Sequence, residues 1–72
     1  MDRPHIMNIG NLAVSRADTI DGVDYRLYNP QTCHHNNHTD IIYTDNLYVF
    51  LEKTVKLIGE KYRSELEWWL YL

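Results

Sequence analysis

Disulfide bonds cannot staple this chain to itself, because it holds one cysteine, Cys33, and an intramolecular bridge needs two. Glycine and proline are also scarce, with three and two in 72 residues, so collagen-like and low-complexity architectures are excluded. Basic runs are missing, and the formal charge is -3. Nucleic-acid binders draw most of their affinity from cationic contacts with phosphate, so a nucleic-acid partner is not expected. No apolar stretch approaches the roughly 20 residues of a membrane span. The N-terminus, MDRPHIMNIGNLAV, lacks the apolar core of a signal peptide. A cytoplasmic location with no membrane partner is the expectation.

Catalytic signatures are absent too. There is no nucleophile elbow, phosphate-binding glycine loop or His-Glu-x-x-His motif, and a chain this short has little room for both a core and an enclosed pocket. The reading is of a protein that is not an enzyme and uses no cofactor.

What the chain does have is hydrophobic order. With 44% hydrophobic and 24% charged residues it has globular composition, and its length allows one small domain, residues 1–72, of modest intrinsic stability. Leu47, Phe50, Leu51, Val55, Ile58, Tyr62, Leu66 and Trp69 recur at steps of three and four, which predicts an amphipathic helix over about 45–70 with Thr44 or Asp45 as N-cap. Unbroken through to Leu72, such a helix would hold about 28 residues and run about 42 Å. A domain of this length has a radius of gyration of only about 11 Å, so either a break near Gly59 or a projecting end is expected.

The first half reads as strands. Residues 1–5 form a lead-in, and an apolar segment over about 6–16 bends or bulges at Gly10. Asp21-Gly22 suits a two-residue hairpin turn leading into a strand over 23–29. That register sets Asp18 and Arg16 opposite Tyr25 and Leu27, on the face that should be buried, and so needs a bulge or a wet end. Asn29-Pro30 ends the strand, residues 30–40 form a polar loop rich in His and Asn, and 40–43 makes a short third strand. The fold expected is α+β: an antiparallel hairpin or three-stranded sheet packed against the C-terminal helix.

Three groups of residues are candidates for function. The tail Trp68, Trp69, Leu70, Tyr71 and Leu72 is too bulky to lie on one helical face, so part of it should meet a partner, most simply a second copy in a dimer. Cys33, His34, His35 and His38 are the chain's metal-capable cluster, though all four fall in one short window rather than on two separated knuckles. Asp18, Asp24 and Asp40 would form an acidic docking surface for a basic groove of a nucleic-acid-handling protein, if they share a face. The function expected is a small non-enzymatic protein-binding module and homo-oligomer. It would act as an inhibitor or adaptor of a larger host protein, of the kind phages and mobile elements encode. Metal binding and acidic docking are the alternatives.

Overall fold

The computed structural model describes residues 3–32 and 40–71. Four strands, β1 (Ile6–Ile9), β2 (Leu12–Thr19), β3 (Gly22–Tyr28) and β4 (Asp40–Thr44), precede helix α1 (Leu47–Ile58), a single 3₁₀ turn (Glu60–Tyr62) and helix α2 (Arg63–Trp69). The strands pair antiparallel in the order β1-β2-β3-β4. The class is α+β, with both helices on one face of the sheet, and the sheet has one strand more than expected.

The extra strand comes from Gly10. Rather than bending one long strand, Gly10 and Asn11 close a two-residue turn between Ile9 and Leu12. Gly10 has φ 62° and Asn11 a negative φ, the pattern of a type II′ turn with glycine first. A Cβ at Gly10 would also come within 3.2 Å of the Tyr62 hydroxyl.

The second hairpin differs in register. Thr19 pairs with Gly22, so Ile20 and Asp21 form the turn, and the left-handed position is Gly22 at φ 139°. Moving the turn back by one residue shifts each pairing by two, which keeps the same faces buried and places Val14 opposite Leu27, both fully buried, and Arg16 opposite Tyr25. The observed register sets these two buried aliphatic side chains directly across from each other, a cross-strand pairing of the kind worth about 0.2–1 kcal/mol.

Along the helical region the expected break occurs at Gly59, whose φ of 114° and ψ of 153° belong to no helix. An unbroken helix of about 42 Å would also have outrun the molecule's longest dimension of 32 Å. The N-cap is Asn46 rather than Thr44 or Asp45: its Oδ1 accepts from the backbone N–H groups of Tyr48 (3.0 Å) and Val49 (3.1 Å). Thr44 caps the cap, since its Oγ1 accepts from Asn46 N–H at 3.1 Å. The break lets α2 fold back so that Leu66 and Trp69 share one core with Ile9, Val14, Tyr25, Leu27, Phe50, Leu51 and Val55. Arg63 fastens the bend, donating to both oxygens of Glu60 (2.7 and 3.0 Å) and both of Glu52 (3.1 Å each). Glu52 thus pairs across the break instead of with Lys56 on its own helix. Among the described residues, no helix is long and apolar enough to cross a membrane.

Candidate interaction surface

The C-terminal tail ends at a junction with the N-terminal residues. Helix α2 leaves its last carbonyls without intrahelical donors, and two arginines supply them. Arg3 Nε donates to the Trp68 carbonyl at 2.7 Å, and Arg16 Nη1 to the Trp69 carbonyl at 2.8 Å. Arg16 Nη2 also donates to the Arg3 carbonyl at 3.0 Å, and the Trp69 indole N–H to the Pro4 carbonyl at 2.7 Å. Residues 3–5, expected as a free lead-in, are held along α2 by these bonds and by Arg16 N–H donating to His5 O at 2.9 Å.

Tyr71 is the described non-glycine residue with positive φ, at 66°. It takes the left-handed position just past the helix, which glycine usually fills because a Cβ costs about 1–2 kcal/mol there. The ring accounts for a tyrosine at this position. The Arg3 guanidinium lies 4.1 Å from the Tyr71 ring centroid and that of Arg16 5.1 Å, so the ring sits against two cations. Arg3 also lies 5.0 Å from the Trp68 ring. The result is a ridge of Trp68, Arg3 and Tyr71, with Trp68 45% and Tyr71 57% exposed. Beside it, His5, Arg16, Asp18, Tyr25, Leu70 and Tyr71 line an open hollow of about 310 Å³.

The tail residues therefore divide. Trp69 and Leu70 lie in the chain's own core, where Trp69 packs 6.4 Å from the Phe50 ring. Trp68 and Tyr71 reach solvent, and Leu72 lies outside the described residues. Folding back at Gly59 makes the division, because it turns the Leu66 and Trp69 side of α2 onto the sheet.

The acidic residues do not share a face. Asp24 and Asp40 stand on the sheet's open face, where Tyr43 Oη donates to Asp24 at 2.8 Å and Arg26 Nε lies 3.9 Å from Asp40. Asp18 points to the helix side, its carboxylate 3.9 Å from His5 Nε2. A single acidic docking surface built from all three is not formed, since strand alternation puts Asp18 and Asp24 on opposite sides.

Cys33, His34, His35 and His38 lie outside the described residues. Among the described residues, no three His, Cys, Asp or Glu side chains converge where an ion would be held.

Arg3 and Arg16 are the participants that sequence reasoning missed. Arg16 left a signal, a charged residue falling on the apolar face of β2. Arg3 left none, because its aromatic partners are at the other end of the chain. No known family's pattern matches this sequence, and no curated protein or solved structure matches it.

Proposed function

We propose that this protein is a small non-enzymatic protein-binding module, acting as an inhibitor or adaptor of a larger protein of the cell in which it is made. The observation that supports the reading is the Trp68–Arg3–Tyr71 ridge. Trp, Tyr and Arg are the side chains that dominate binding hot spots, and here Trp68 and Tyr71 stand exposed beside a half-buried Arg3 that a hydrogen bond and cation–π contacts already order. Ordering before binding removes about 0.5–1.5 kcal/mol of entropic cost per rotamer-rich side chain. The adjoining hollow, lined by His5, Arg16 and Asp18 as well as by Tyr25, Leu70 and Tyr71, offers room beside the ridge for a side chain of the partner.

The test is site-specific photo-crosslinking in the source cells. A photoreactive phenylalanine derivative in place of Trp68 should give one discrete adduct, and Tyr71→Ala should abolish it. The same group at Asp21, on the hairpin tip, should give none. An absence of adducts at position 68, or the same adducts from position 21, would sink the reading.

A further inference from the structure

We infer that the hollow beside Tyr71 is a carboxylate-binding site, with the Tyr25 hydroxyl at its floor and Arg16 in its wall. In the protein-binding reading above, an Asp or Glu side chain of the partner fills it. Only that source rests on the reading; the chemistry of the hollow does not.

The hollow lies on the helix side of the sheet, just past the end of α2, and its volume of about 310 Å³ suits one side chain rather than a large cofactor. Tyr25 is fixed within it. Its ring stacks on Phe50 with centroids 5.5 Å apart, it is only 8% exposed, and its cross-strand partner is Arg16. The hydroxyl hydrogen-bonds to no described residue, and it is not sealed among apolar atoms either, since Tyr25 lines the hollow. Most buried hydroxyls are paired within the protein. One that is left over at the bottom of an open hollow is placed to bond whatever enters. Burial also pushes the phenol above its usual 10.0, so at neutral pH it keeps its proton and can donate it to an anion.

Arg16 supplies the charge. A guanidinium has five N–H groups; one goes to the Trp69 carbonyl and one to the Arg3 carbonyl, and the others have no acceptor among the described residues. Those two bonds hold the guanidinium in the wall of the hollow, and its planar fork of donors matches the two oxygens of a carboxylate.

The balance of charge selects the sign of the ligand. Arg16 is half-buried, and Arg3 stands 4.1 Å from the centre of the Tyr71 ring. The opposing charge is Asp18, whose side chain is 79% exposed and lies 3.9 Å from His5 at the rim, where water screens it. A cationic ligand would meet both arginines. A phosphate dianion would be repelled by Asp18 twice as strongly as a monoanion, and a neutral ligand would leave the charge of Arg16 unused. A singly charged carboxylate satisfies the phenol and the guanidinium together.

The experiment is a titration of the isotope-labelled native chain at constant ionic strength, followed by NMR at the Arg16 Nε–H and at the Tyr25 and Tyr71 amides. The probes are N-acetylglutamate N-methylamide, its glutamine counterpart and inorganic phosphate. The expected result is saturable shifts with the glutamate probe, at a dissociation constant on the order of 1–10 mM, and none with the glutamine probe. Tyr25→Phe keeps the ring on Phe50 and should weaken binding about tenfold. Asp18→Asn should tighten it about two- to fivefold. Equal responses to the glutamate and glutamine probes overturn the inference, as do tighter binding of phosphate or a Tyr25→Phe variant that binds like the native chain. Should Tyr25→Phe unfold, Asp18→Asn decides, and binding that is unchanged or weaker in that variant overturns it.

Repeating the crosslinking at position 68 with Tyr25→Phe identifies the source. A reduced adduct assigns the carboxylate to the partner's side chain, whereas an unchanged adduct beside a saturable titration assigns it to a free carboxylic acid. No adduct at position 68 would end the protein-binding reading and leave the titration to decide this inference alone, so the two proposals fail separately.

Discussion

The indole N–H of Trp69 donates to the carbonyl of Pro4 across 2.7 Å, tying the end of α2 to the entrance of β1. The neighbouring tryptophan has no such burial, and the two should respond differently to truncation. Trp69→Ala removes a fully buried ring and should cost about 3–5 kcal/mol, enough to unfold much of a domain this small. Trp68→Ala removes a ring that is half in water and should cost about 1 kcal/mol or less. Denaturant melts of the two variants check this, and equal losses would contradict the placement of the rings.

Tyr71 offers a second contrast. Tyr71→Ala keeps the left-handed strain and removes the ring between Arg3 and Arg16, whereas Tyr71→Gly removes both. The glycine variant should therefore be more stable than the alanine variant by about 1 kcal/mol. Thermal melts of the pair read the difference directly, and alanine equal to glycine would mean that the backbone is not held at positive φ.

Gly59→Ala should destabilise the fold although alanine is the better helix former. An added Cβ at Gly59 meets nothing within 4 Å, so the penalty comes from φ of 114° alone. The expected loss is about 1 kcal/mol or more, read as a lower denaturant midpoint. A gain would indicate that the region prefers a continuous helix.

Alkaline stability should depend on Tyr25. Burial pushes its phenol above the usual value of 10.0; Arg16 opposes the rise and Asp18 reinforces it. Below pH 10 the phenol keeps its proton in both folded and unfolded chains. Above pH 10 the unfolded chain ionises first, so the folded state loses stability as pH rises through the window up to the raised folded value, by at most about 1.4 kcal/mol per pH unit. Tyr25→Phe should flatten that part of the stability profile above pH 10, measured by denaturant melts at each pH.

The apolar period from Leu47 to Trp69 and the break at Gly59 were legible in the sequence, because helical spacing and glycine's permissiveness act over a few neighbouring residues. The Gly10 position was legible as an irregularity, but whether it bent one strand or closed a turn between two depended on pairing Ile9 with Leu12. The second hairpin shows the limit more sharply. Asp21-Gly22 has the local signature of a two-residue turn, yet the register follows Val14 and Leu27, whose burial is a property of the whole sheet and its covering helices.

What the sequence determined by itself is which regions are strand-forming and which helical, and the face the helical region would bury, since periodicity and turn chemistry are local. Only the tertiary structure decided which of the bulky tail residues are core and which are surface. That division follows from α2 folding back and from Arg3 and Arg16 arriving at its end, contacts between residues more than 50 positions apart. No local rule specifies such contacts, because their free energy exists only once the sheet has brought the two ends of the chain together.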